Sequence, residues 1–295
     1  MRIHIKDVAK HIGKEVTIAG FVQIIRDQGS ITFLIIRDIS GLIQIVITKD
    51  KKDAVEVARQ LSHESVVEIT GLAKKEKQAP GGFEIAAQTI TILSLADPEL
   101  PIPIVEKGEQ EETDQSIRLD WRWIDLRKPK NTLIFKVWTV MEQAFREYWL
   151  KQDYIEIHSP KLIATPSESG AEVFEVIYFD RKAFLAQSPQ FYKQMAMAAG
   201  FEKVFEIGPV FRAEPSFTSR HATEFTGYDA EMSYIQSHYD VIAEEENIIH
   251  YAMQKIKDAY GEEIVKLFEK NISVPPVPFP RISMREAKEV LAQMN

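Results

Sequence analysis

Residues 211 to 232 read FRAEPSFTSRHATEFTGYDAEM, the end of one strand-like run, a polar loop and the start of a second run. The first run begins at KVFEIGPVF and the second continues through EMSYI, so the two are expected to pair as antiparallel strands. Side chains alternate along a strand, which puts Arg212 and Glu214 on one face of the first strand. Phe225, Asp229 and Glu231 then share one face of the second, with Tyr228, Ala230, Met232 and Tyr234 on the other. Burying the apolar side leaves a guanidinium, an aromatic ring and three carboxylates together on the opposite side. Those groups suit a nucleotide and a charged amino acid: guanidinium for phosphate, an aromatic plane for a purine, carboxylate for ammonium. Arg220 and His221, in the loop, are within reach of outer phosphates. The bland alternative for the same charges is a solvated ion network.

Around this segment the chain alternates helix and strand. Leu133, Val137, Val140, Met141, Ala144, Phe145 and Tyr148 form one apolar stripe of a helix of about five turns. DYIEIHSPKL is strand-like, and SPQFYKQMAMAAG is a short helix with Pro189 near its start and Gly200 past its end. Adjacent antiparallel strands among helices predict an α+β domain. Earlier in the chain, VTIAGFVQII, ITFLIIRD, GLIQIVIT, VVEITGLA and FEIAAQTITIL are five strand-like runs. The helical KKDAVEVARQLS lies between the third and fourth, the order of an OB-type barrel. Residues 97–117 carry three prolines and a charge run and read as a linker. The expected domains are 1–100 for the barrel, 101–130 for linker and hinge, and 131–295 for the second domain.

The chain of 295 residues has a formal net charge of -8 and no cysteine. Disulfides, thiolate metal sites and thiol nucleophiles are excluded, and a reducing cytoplasm is the expected location. The first hundred residues balance 13 basic against 13 acidic groups, so the acidic excess lies beyond them. Nucleic-acid contact therefore has to rest on local patches and stacking rather than a global positive field. The N-terminus MRIHIKDVAKHIGKEV is broken by charge every few residues and is neither a signal peptide nor a membrane anchor. No GxxxxGK[ST] or GxGxxG loop and no HExxH pair is present, and His11-Ile-Gly-Lys14 reads as a turn before a strand.

With these residues in view, the chain resembles the class II aminoacyl-tRNA synthetases, and among them the aspartyl-tRNA synthetases of archaeal and eukaryotic type. FRAE followed by RHATEFTGYDAEM resembles motif 2 of that family. The resemblance implies that Arg212 binds the α-phosphate of ATP, that Glu214 orients adenine and the tRNA end, and that Phe225 stacks on adenine. It places Arg220 and His221 toward the outer phosphates and Asp229 at the substrate α-ammonium. AQSPQFYKQM, residues 186–195, resembles the amino-acid pocket segment, implying Ser188, Gln190 and Lys193 as its lining. Gln190, Lys193 and Gln194, three and four residues apart, are expected on one helix face. A buried lysine suits the β-carboxylate of aspartate and penalises neutral asparagine. TPSESGAEVF, residues 165–174, resembles a loop that closes over aspartate through Glu168.

RLDWRWIDLR resembles the family's hinge, and FREYWLKQDYIEIHSPKL resembles motif 1, the dimer-forming element. Asp153 stands where the family has glycine, which bears on the turn geometry there. The barrel resembles the anticodon-binding domain, with Phe33 stacking on the central base, Gln44 bonding to it and Arg26 nearby. Phe21 stands where the family has tryptophan. VPFPRISMREAKEVLAQMN resembles the segment before motif 3, so the catalytic domain is expected to be incomplete, without the motif 3 arginine and the acidic Mg²⁺ ligands.

The expected activity is ATP- and Mg²⁺-dependent charging of tRNA-Asp with L-aspartate, by a homodimer outside any membrane, and weak or absent in this length of chain. Pro80 and Gln23 resemble the relaxed forms of the family that also charge tRNA-Asn. The alternatives are an asparaginyl-tRNA synthetase, opposed by Lys193, and a lysyl-tRNA synthetase, opposed by the lack of carboxylates in AQSPQFYKQM. A non-catalytic tRNA-binding or regulatory module is the third.

Overall fold

The computed structural model describes residues 2–105, 113–168, 172–215, 218 and 221–294, and divides into two compact units, Met1–Lys128 and Pro129–Asn295. In the first unit, β1 (Glu15–Asp27), β2 (Ile31–Asp38), β3 (Gly41–Thr48), β4 (Val66–Lys75) and β5 (Phe83–Ser94) close into a barrel in the order β1-β2-β3-β5-β4. The helix α1 (Lys52–Gln60) lies between β3 and β4, as the sequence pattern predicts. Only the β3–β5 pair is parallel. The inward residues of each strand form the core, with Ile18, Val22, Leu34, Ile36, Ile45 and Ile69 fully buried. A short 3₁₀ turn, Ile5–His11, adds Ile5 and Val8 to that core. Asp38 anchors it by accepting from Ile5 N at 2.9 Å and from Ser40 N at 2.7 Å.

Two glycines let the barrel strands cross closely. A Cβ on Gly20 would stand 2.4 Å from the Arg37 carbonyl oxygen, and one on Gly71 would stand 2.2 Å from that of Ala86. Neither position can take a side chain without moving backbone. Beside Gly20, the Phe21 ring is in contact with two guanidinium groups, with Arg37 Cζ 5.3 Å and Arg127 Cζ 4.5 Å from its centre. Both arginines donate to the buried Glu64, Arg37 in bidentate fashion at 3.0 and 2.7 Å and Arg127 at 3.1 Å. Arg127, in the hinge-like stretch, is thereby fixed to the barrel.

The described residues on either side of 106–112, within the segment read as linker and hinge, carry local structure. Ile102, Ile104 and Ile124 are buried together, and α2 (Gln115–Asp120) starts on an Asp114 cap that accepts from Ser116 N at 2.8 Å. The short α3 (Arg122–Asp125) follows. Hydrophobic burial, invisible as periodicity across three prolines, accounts for the difference.

In the second unit, α4 (Pro129–Lys151) leads into β6 (Ile155–Glu156), β7 (Leu162–Ile163), β8 (Glu175–Tyr178), β9 (Arg181–Leu185) and α5 (Gln190–Ala198). Then β10 (Lys203–Phe211) pairs antiparallel with β11 (Glu224–Met232), with β6 parallel on the other side of β10. The long α6 (His238–Phe268) starts on a capping box of Ser237 and Asp240, and α7 (Met284–Met294) ends the described chain. One face of the β10/β11 sheet packs Phe205, Tyr228 and Ala230 against Trp149, Tyr154 and Ile248.

The turn after α4 keeps its glycine-type geometry without glycine. Asp153 adopts φ 63°, and Tyr154 N donates to Trp149 O at 3.0 Å, a Schellman-type closure. Aspartate is among the few residues that tolerate this region at modest cost. Tyr234, expected on the apolar face of the second strand, lies beyond its end at φ 59° and is 84% exposed. No helix among the described residues is long and apolar enough to cross a membrane.

Candidate active site and base-reading surface

Because Phe205 and Tyr228 face the core, the alternating residues of β10 and β11 face the other way. Glu206 pairs in register with Asp229, Gly208 with Gly227, and Val210 with Phe225. The polar side chains expected from strand parity therefore do share one surface. Arg212 continues the ladder just past β10, its N–H donating to Thr223 O at 2.9 Å. Its guanidinium carbon stands 5.8 Å from the Phe225 ring centre, and its Nε is buried with no hydrogen-bond partner among the described residues. A buried donor beside a 40% exposed ring is a group waiting for an acceptor next to a flat ligand. Glu214 is half-buried beyond it. His221 is exposed and bonds to Thr218 in the connecting loop, whereas Arg220 lies outside the described residues.

The other end of the surface carries the residues expected to line an amino-acid pocket. Pro189 caps α5, and one turn in, Lys193 is buried at 5% exposure. It is ion-paired with Asp229 and with Glu231 Oε2 at 3.1 Å, and also donates to Ala230 O at 3.3 Å. Burial alone would lower the Lys193 pKa; the two carboxylates outweigh it, and the net shift is upward. The ammonium is thus held charged in a low-dielectric site. Gln194 does not join it: successive helix positions differ by about 100°, and Gln194 is exposed in an outer groove with Phe191 and Met195.

Glu168 and Ser188 meet, Ser188 Oγ donating to Glu168 Oε1 at 2.6 Å. Gln190 N donates to the same Ser188 oxygen at 3.3 Å. What holds the Glu168 loop is a residue that motif reading passed over. The fully buried Gln187 accepts through Oε1 from Ser167 N and Glu168 N, each at 3.1 Å. A second unforeseen feature is Glu206, 3% exposed, which accepts from Ser159 N at 2.8 Å and pairs with Lys161. The signal for both was only a polar residue at an inward strand or loop position.

A cavity of about 710 Å³ opens on the aromatic side of the same sheet, between Trp149, Tyr228 and Glu244. Its charged lining is carboxylate only, so it offers phosphate nothing.

On the barrel, Arg26, Phe33 and Gln44 line one cavity of about 410 Å³, with Arg26 and Phe33 in register across β1 and β2. Glu84, from the parallel neighbour β5, accepts from Gln44 Nε2 at 2.9 Å and fixes the amide's orientation. Glu84 was not singled out from sequence because only the parallel pairing of β3 with β5 brings it there. Phe21 is not part of this surface; it is covered by its two arginines.

Residues 114–295 match the family model described as tRNA synthetases class II (D, K and N), and residues 16–93 match the model of the OB-fold nucleic acid binding domain. The aspartate–tRNA(Asp/Asn) ligase of Archaeoglobus fulgidus is 39% identical over 99% of this chain and 68% of its own length. The aspartate–tRNA(Asp) ligase of Pyrococcus abyssi is 40% identical over 96% of this chain and 64% of its own length. Among solved structures, the Pyrococcus horikoshii asparaginyl-tRNA synthetase complexed with asparaginyl-adenylate aligns with a TM-score of 0.89 at 32% identity. That alignment covers 100% of this chain and 68% of that one. The chain thus spans about two thirds of the length of the relatives it matches. With the family match covering more than half of its length, the chain belongs to the class II tRNA synthetases of the aspartate, lysine and asparagine group.

Proposed function

We propose that this chain carries the amino-acid-activating site and the anticodon-reading barrel of an aspartate–tRNA ligase. The observation that carries the choice of amino acid is Lys193, a charged ammonium 5% exposed at the end of the sheet surface. Such a cation can exchange its Asp229 partner for a substrate carboxylate without loss of charge pairing but not for an amide, which favours aspartate over asparagine. The names of the relatives at about 40% identity point the same way.

In the proposed reaction the aspartate α-carboxylate attacks the α-phosphorus of ATP, pyrophosphate leaves, and the acyl group passes from the adenylate to the terminal adenosine of tRNA-Asp. The residues present fit ATP. Phe225 offers a stacking plane, and the unpartnered Nε of Arg212 is available to an α-phosphate oxygen, where it would offset charge gathering in the transition state. Asp229 would hold the substrate ammonium, and Ser188, Gln190 and Glu168 would close around the amino acid. When bound, Mg²⁺ would neutralise phosphate charge; no cluster of three metal-ligating side chains occurs among the described residues. On the barrel, Phe33 would stack on an anticodon base while Gln44, oriented by Glu84, bonds to its edge. Charging of tRNA-Asn as well is proposed from Pro80 and Gln23. Pairing of two copies is proposed through the motif 1 segment, residues 145–162, where Leu150 and Ile155 are 54% and 47% exposed. A place in translation puts the protein in the cytoplasm.

Calorimetric titration with aspartate, asparagine and lysine, alongside pyrophosphate exchange in the presence of each, tests the assignment. Aspartate is expected to bind at least about a hundredfold tighter than the other two; equal or stronger binding of asparagine or lysine would overturn it. Charging of tRNA-Asp and tRNA-Asn transcripts tests the nucleic-acid side.

A further inference from the structure

The proposed reading asks Lys193 to take the substrate's β-carboxylate and Asp229 to take its α-ammonium, yet within the protein these two groups are bonded to each other. Neither is free until that pair opens. Opening it alone would give up one ion pair of a partly desolvated site with no charged partner gained in its place. Aspartate carries both complementary charges on one small molecule. Resting on that reading, we propose that aspartate enters by partner exchange. Its β-carboxylate displaces Asp229 from Lys193, its α-ammonium displaces Lys193 from Asp229, and Glu231 keeps the lysine in place throughout. Asp229 is then an internal competitor as well as a binding group.

The geometry supports this division of labour. Asp229 and Glu231 lie two residues apart on one face of β11, with side chains 30% and 29% exposed, while the lysine side chain between them is 6% exposed. The carboxylates are therefore open to an incoming ligand, and the ammonium is reached only past them. Lys193 also donates to the Ala230 carbonyl at 3.3 Å, so it has two holders besides Asp229 and need not move when that partner leaves. On the neighbouring strand, Glu206 faces Asp229 in register but is satisfied by Lys161 and Ser159, so it does not compete for Lys193. A ligand with one charge opens the internal pair and repairs half of it. Selectivity then reflects the whole exchange: asparagine replaces one of the two carboxylates on Lys193 with an amide, and a dicarboxylate without an ammonium leaves Asp229 without its ion pair.

The exchange makes a prediction of unusual sign. In Asp229→Asn the competitor is gone, so succinate, which has no ammonium, is expected to bind at least about tenfold tighter than to the unaltered chain, the worth of one charge-assisted bond. Aspartate should bind more weakly to the same variant. Glu231→Gln removes the same formal charge beside Lys193 but not the competitor, and succinate should show no comparable gain. Calorimetry of the whole chain with aspartate, asparagine and succinate, with a thermal melt for each variant, reads all of this. Equal gains in both variants would mean simple charge relief, and no gain in Asp229→Asn would mean that the internal pair does not gate binding; either overturns the exchange. On the unaltered chain, succinate should bind at least about a hundredfold more weakly than aspartate, and near-equal affinities would also overturn it. Preference of the unaltered chain for asparagine or lysine defeats the underlying assignment itself, whereas preference for aspartate without the succinate effect defeats the exchange alone.

Discussion

Two three-membered ion networks hold the two units, and they differ chiefly in who can reach them. In the barrel, the Glu64 side chain is 3% exposed between Arg37 at 9% and Arg127 at 27%, and the anion sits at the sealed centre. At the candidate active site the arrangement is inverted: a sealed cation, Lys193, sits behind two carboxylates that solvent reaches. The chemistry is alike, but one network is closed around its buried anion, with Arg127 alone partly exposed, and the other exposes both of its carboxylates. A closed network can only contribute to folding and uniqueness of structure, whereas an open one can trade partners with a ligand.

The largest test of this contrast is Glu64→Ala. It leaves two guanidinium groups without their shared anion, and the barrel is expected to lose about 3–5 kcal/mol. Urea unfolding, followed through protection of the barrel amides, measures it; a loss under about 1 kcal/mol would mean that water reaches the pair after all. Next in size, Lys193→Met should reduce aspartate affinity at least about a hundredfold, or about 2.7 kcal/mol. Its cost to folding should stay near 1 kcal/mol because Asp229 and Glu231 can turn to water. An equally large folding loss would erase the distinction between the networks.

On the barrel surface, Phe33→Ala is expected to weaken binding of an anticodon stem-loop by about 1–3 kcal/mol while leaving the melting temperature nearly unchanged. A filter-binding assay beside a melt decides this, and a structural role would move the second reading instead. The smallest expected effect concerns Asp38, whose side chain is 7% exposed. Burial alone would raise its pKa, but hydrogen bonds from Ser40 and from the Ile5 amide outweigh burial and hold it below the ordinary carboxylate value. Its contribution, about 1 kcal/mol, is therefore complete above that ordinary value and lost as pH falls through the depressed one. Asp38→Asn should flatten the acid side of the stability profile, and an unchanged profile would show that other carboxylates dominate it.

Much of this was legible in the sequence because it repeats with a short period. The β-rich runs ITFLIIRD and GLIQIVIT, bounded by turn residues, announce strands, and β2 and β3 coincide with them. Pro189 and Gly200 mark the limits of α5 to within a residue or two. Strand parity correctly put Phe225, Asp229 and Glu231 on one surface. What stayed hidden joins residues far apart in the chain with no shared period. Lys161 and Glu206 are 45 residues apart, and Gln44 and Glu84 are 40 apart. Their pairing depends on register and strand order, which no local pattern encodes. The left-handed Asp153 was obscured for the opposite reason: the backbone kept its geometry while the residue that usually advertises it was replaced.

The close crossings at Gly20 and Gly71 bear on how such a barrel drifts under mutation. At each, any side chain would have to occupy the place of a carbonyl oxygen about 2 Å away, so neither site offers a viable neighbour in sequence space. Outward positions such as Phe33 and Gln44 carry no comparable constraint. A library that randomises the outward face and holds the two glycines fixed should therefore yield folded barrels with altered base preference. One that also varies the glycines should be depleted at those two codons first.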